Sequence, residues 1–138
     1  MNQSEYLLAS GGTRSQILDA SLADVPSVRL TLNIGMAQPN GVGPDLHPGE
    51  VLRTMSQTGF TVGRSEVRHS KSEMTLIVEI FHVTGYAAIQ SINALAKLLH
   101  QEAIAVRNEA TQRGTLVGPK AAAWGPFNPD YFLDFSSV

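Results

Sequence analysis

The sequence predicts an α+β fold of the ferredoxin-like βαββαβ kind, an antiparallel sheet with two helices on one face. Three observations predict it. Residues 28–36 alternate between apolar and polar side chains. Residues 74–83 are apolar on both faces. Two stretches with helical spacing divide the strand-like runs in the order β, α, β, β, α, β.

The first strand is the clearest. Val28, Leu30, Leu32, Ile34 and Met36 alternate with Arg29, Thr31, Asn33 and Gly35. A period of two buries one face and leaves the other polar. Residues 38–45 form a loop, because Pro39, Gly41, Gly43 and Pro44 interrupt regular structure. A helix follows, with Pro48 in its first turn and Glu50 near the positive end of the dipole. Val51, Leu52 and Met55 supply its apolar stripe, and Gly59 stops it.

Residues 60–68 read as a strand whose charged second half suits a sheet edge. Residues 69–72 turn the chain. Residues 74–83 then form a central strand, with Met74, Leu76, Val78 and Ile80 on one side and Thr75, Ile77, Glu79 and Phe81 on the other. Thr84 is placed to cap a helix over residues 85–101, whose Ile89, Ile92, Leu95, Ala96 and Leu99 recur at helical spacing. Residues 102–108 are the last main strand, and residues 115–117 return as a short hairpin strand.

This divides the chain into an N-terminal arm over residues 1–27, a body over residues 28–118 and a tail over residues 119–138. The arm is polar and small, with a short helix expected over residues 15–23. The tail holds more than half of the aromatic residues, together with Pro119, Pro126 and Pro129. So many aromatics argue for packing, on the body or on another subunit.

Composition narrows the function. The chain has 138 residues, enough for one core. The net charge is −2, and the basic residues are scattered. Nucleic-acid binding is disfavoured, since phosphate contact needs clustered Lys and Arg. The densest basic group, Arg64, Arg68, His69 and Lys71, encloses Glu66. Absence of cysteine removes disulfides, thiolate nucleophiles and cysteine-held metals. Neither a secretory signal over residues 1–10 nor a membrane span is expected, and the cytoplasm is the expected compartment. Only 16% of residues are charged, which favours a surface that meets a second subunit.

The runs Gly59-Phe60-Thr61-Val62, Ser72-Glu73-Met74-Thr75-Leu76-Ile77-Val78-Glu79-Ile80 and His100-Gln101-Glu102-Ala103-Ile104-Ala105-Val106 carry a resemblance. They are similar to a loose pattern in small bacterial and phage domains of unknown function. Those domains also have a glycine-rich loop after the first strand and a Gln-Glu pair opening the last. The resemblance spans residues 28–107. It implies a ferredoxin-like fold and brings no activity or catalytic residue.

No catalytic motif emerges. The four histidines lack metal-site spacing, so no metal and no cofactor is expected. His100 and Glu102 could serve as a base and its orienting carboxylate, but a helix-terminal histidine beside a polar residue explains them more simply. Glu79, in an apolar strand, would be an acid or base if enclosed; pairing with Arg29 or Asn33 across the strand is the plainer reading. The glycine-rich loop over residues 35–43 lacks the Lys-Ser/Thr ending of a phosphate loop. Asp130 and Asp134 read as solvated carboxylates.

What remains is surface. The second sheet face would present Arg29, Asn33, Ile77 and Phe81 as an open, half-apolar area. Trp124, Phe127, Tyr131 and Phe132 would either anchor a partner or cap the sheet of their own chain. The expectation is a non-catalytic, homodimeric interaction or regulatory module, with a host or other partner protein as its second kind of partner. The alternative is a small-molecule-binding domain or small enzyme of the dimeric α+β-barrel kind, using Glu79 and a histidine.

Overall fold

Alternation over Val28–Gly35 makes the first strand, β1. The computed structural model describes residues 28–37, 45–70, 73–82 and 84–136. The expected arm over residues 1–27, most of the glycine-rich loop and residues 71–72 of the expected turn lie outside them.

Helix α1 spans Pro48–Gln57. Pro48 occupies its first turn, and the His47 side chain caps it by accepting a hydrogen bond from the Gly49 N–H at 3.2 Å. Val51 and Met55 are its buried residues. β2, Thr61–Ser70, runs to β3, Glu73–His82, as an antiparallel neighbour. Helix α2, Gly85–Leu98, starts at Thr84, whose hydroxyl accepts from the Ala87 N–H at 3.1 Å. β4, Ile104–Asn108, and β5, Gly114–Val117, complete the sheet.

α2 is shorter than the spacing predicts. It ends before residue 101 because His100 takes φ 57, the left-handed region. The His100 N–H then bonds the Lys97 carbonyl, and the Gln101 N–H bonds the Ala96 carbonyl. That pair of bonds is the Schellman stop, usually made with glycine. His100 is exposed and serves as a helix terminator. A His100→Gly variant should therefore keep the fold and gain about 0.5–1 kcal/mol in chemical denaturation. A loss of stability would contradict this assignment.

The five strands lie in the order β2-β3-β1-β4-β5, every neighbouring pair antiparallel. β3 is flanked on both sides, as its two apolar faces require, and charged β2 is an edge. One apolar cluster joins Leu32 and Ile34 of β1, Val78 and Ile80 of β3, Met55 of α1, Ile92 of α2 and Ile104 of β4. Each such side chain, fully shielded, contributes roughly 1.5–3 kcal/mol. Both helices thus cover the sheet face that β1's apolar positions create.

The other face differs from the expected open surface. Thr31 is 2% exposed and Ile77 is 0% exposed, although both lie opposite the core. Thr31 hydrogen-bonds Glu109 through its side chain, and the chain's own C-terminal segment crosses over Ile77.

Candidate functional site

Register places Ala105, Asn33, Ile77 and Glu66 in one row across β4, β1, β3 and β2. The tail crosses this row like a strap. Asn33 holds it by two bonds: its Nδ2 donates to the Leu133 carbonyl at 3.0 Å, and its Oδ1 accepts from the Leu133 N–H at 2.7 Å. Two strands further on, the Glu66 carboxylate accepts from the Ser136 N–H at 2.9 Å and from its hydroxyl at 2.5 Å. Ile77 lies between these anchors, which explains its burial.

Cations complete the clasp. Arg64 donates to the Ser136 carbonyl and stacks on the Phe135 ring at 4.5 Å. Arg68 donates to the Asp134 carbonyl. Arg107 pairs with Glu109 at 3.0 Å and with Asp134, and covers the Phe132 ring at 4.7 Å. The cluster around Arg64 and Arg68, which reads as a basic patch in sequence, thus has a structural task.

The charges respond to this setting. The Ser136 hydrogen bonds hold the Glu66 carboxyl below its ordinary pKa, with Arg64 and Arg68 adding to the effect. Burial would raise Glu109, but hydrogen bonds from Arg107, Thr31 and Gln112 outweigh it and leave the pKa lowered. Burial would lower Arg107, but its bonds to Asp134 and Glu109 leave its pKa raised. Burial also lowers His82. For carboxylates lowered by folding, the stabilisation is complete above the unfolded pKa, about 4.3, and fades as pH falls through the folded value. Acid should therefore loosen the strap. Hydrogen-exchange protection of the Ser136 amide is expected to fall between about pH 5 and pH 3. Unchanged protection over that range would contradict the clasp.

Two concavities border the strap. An aromatic groove of about 660 Å³ has Ala105 and Leu116 of the sheet as its floor, with Trp124, Phe127, Tyr131 and Phe132 among its walls. The Phe127 and Phe132 rings meet at 5.6 Å. Phe127 also lies over Gly114, where any Cβ would collide with the ring. Trp124 and Tyr131 stand out at 64% and 81% exposure. The second concavity, a cleft of about 430 Å³, shares Ala105, Leu116 and Trp124 with the groove. It adds Asn33, Glu73, Gln101 and Glu102. Glu102 accepts from the Trp124 indole N–H at 3.0 Å and so orients the ring.

The surface candidates Asn33, Trp124, Phe127, Tyr131 and Phe132 therefore meet around these concavities. Ile77 and half-buried Phe81 do not line them. Arg29 bonds Glu79 at 2.9 Å, and Glu79 also accepts from the Arg64 N–H at 3.2 Å. Of the acid–base candidates Glu79, His100 and Glu102, only Glu102 lines the cleft or the groove. Among the described residues no group of three His, Asp or Glu could hold a metal ion.

The sequence alone gives no site role to Gln101, Leu116 or Arg107. Gln101 carried one usable signal: a long polar side chain directly after an apolar helix and before a buried strand. Among the described residues no helix is long and apolar enough to cross a membrane.

Among the described residues, fold and site define an α+β arrangement with a five-stranded antiparallel sheet, two α-helices and a strapped second sheet face. No family model, curated protein or solved structure matches the chain.

Proposed function

We propose that the protein is a non-catalytic interaction module that binds through its aromatic groove and self-associates there. We further read its body as the ferredoxin-like βαββαβ arrangement with β5 added beside β4. The order β2-β3-β1-β4, antiparallel throughout, supports that reading.

One observation carries the functional proposal. Trp124 and Tyr131 project at the rim of a groove whose lining, among the described residues, includes no Asp, Glu, Lys or Arg. Large aromatic surface beside an uncharged concavity is what interface centres use. A two-fold contact needs one patch to supply both the knob and the hole. This patch has both, since the projecting rings belong to the groove they border. The low charge fraction, 16%, adds support.

Light scattering on the full chain tests it. A dimer is expected, with the Trp124→Ala/Tyr131→Ala double variant monomeric and folded. Both side chains are largely exposed, so the variant should lose only about 0.5 kcal/mol beyond the concentration-dependent contribution of the dimer. A full-length chain that stays monomeric, or a double variant that stays dimeric, overturns the self-association.

A second reading, a small-molecule-binding domain, is favoured by the buried amide of Gln101 in the adjoining cleft.

A further inference from the structure

The cleft beside Trp124 combines three features that ordinary packing does not explain. Gln101 is 6% exposed and lines the cleft, and its Nε2 has no hydrogen-bond partner among the described residues. A buried donor left unpaired costs stability, so it marks a place where an acceptor is missing. Glu73 and Glu102 also line the cleft, and among the described residues no basic one does. Among the described residues neither carboxylate is in an ion pair. Finally, the Trp124 indole is fixed by its bond to Glu102 and is left 64% exposed.

Each feature selects a part of a ligand. The Gln101 amide asks for a carbonyl or hydroxyl oxygen. The two carboxylates ask for positive charge and repel anions. An exposed, positioned indole favours a cation or an apolar body against its face. Both ends of the Asn33 amide already bond Leu133, which leaves Gln101 as the lining amide with an unmatched nitrogen.

We propose that this cleft binds a small organic cation carrying a neighbouring carbonyl oxygen, the pattern of an amino-acid amide. The ammonium lies toward Glu73 and Glu102, the carbonyl accepts from Gln101, and an apolar side group rests on Trp124 and extends toward the aromatic groove. This deepens the small-molecule reading and does not depend on self-association.

Trp124 is the chain's single tryptophan, so its fluorescence reports on this place alone. The probe is phenylalaninamide, titrated into the full-length protein. The controls keep its body and change its charge: neutral N-acetylphenylalaninamide and anionic N-acetylphenylalanine. Saturable binding of the cation is expected, at least about tenfold tighter than the neutral control, with no binding of the anion. Glu102→Gln keeps an oxygen for the indole and should erase that preference. Gln101→Met should weaken the cation about tenfold or more while its denaturation midpoint holds or rises, since an unpaired buried amide is gone.

Equal binding of all three compounds, or none, overturns the proposal. So does a folded Gln101→Met protein that binds the cation as the parent does. Light scattering with and without phenylalaninamide separates the two ideas: a monomer that binds the cation keeps this one and removes self-association, and a dimer that binds none does the reverse.

Discussion

A Gly118→Ala variant should lose about 3 kcal/mol or more of folding stability, the upper range for a forced steric overlap. At Gly118 a Cβ would sit 2.5 Å from the Glu102 carbonyl oxygen and 2.8 Å from the Ala103 Cα. Both are backbone atoms and cannot swing aside as a side-chain end can. The Lys120 N–H bonds that same Glu102 carbonyl, so the tail leaves β5 through this contact. Separating the two segments would pull β5 from β4 and displace Glu102, which holds the Trp124 indole. Denaturant unfolding should show the loss, and tryptophan fluorescence of the folded variant should shift. Gly125→Ala is the control. Gly125 has φ 82 but nothing within 4 Å of an added Cβ. With ψ −166 it lies in a region that glycine alone adopts readily, so alanine there should cost the backbone strain alone, about 1–3 kcal/mol. Similar losses at the two positions would mean that the contact at Gly118 is not what matters.

Ending the chain at Gly118 is the second large change, with an expected loss of about 2–4 kcal/mol. Truncation uncovers Ile77, now 0% exposed. It strips Asn33 and Glu66 of their bonds to Leu133 and Ser136, and Arg107 of Asp134 and the Phe132 ring. Burying each apolar side chain is worth roughly 1.5–3 kcal/mol, and ordering the strap offsets much of that sum. The shortened chain should keep its strands and helices, because the cluster on the helix side takes no residue from the tail. It should unfold at lower denaturant and bind a hydrophobic dye through the bared sheet face. A truncated protein with the full-length midpoint and no dye binding would show that the strap adds nothing to the fold.

These two expectations separate what was legible in the sequence from what was not. Alternation in β1, the doubly apolar β3 and the spacing of Ile92, Leu95 and Ala96 in α2 are local patterns. Each depends only on a strand period of two or a helix period of 3.6, so the residues declare it without reference to distant partners. The Thr84 cap and the stop at Gly59 are local in the same way. The end of α2 was less legible, because the left-handed turn fell on His100 where glycine is usual. The row from Asn33 to Glu66 was legible only in part. Sequence placed Asn33 and Ile77 on one face, but nothing local says that Leu133 will reach Asn33 a hundred positions away.

By itself, then, the sequence determined the elements, their order and the face of β1 that enters the core, since periodicity and end signals act within a few residues. Tertiary structure alone decided that the tail closes the second face, that Arg64, Arg68 and Glu66 clasp it, and that Gln101 shares a cleft with Glu102 and Trp124. Those pairings join segments whose separation along the chain leaves no periodic trace, and they exist only once the sheet has set the spacing of its strands.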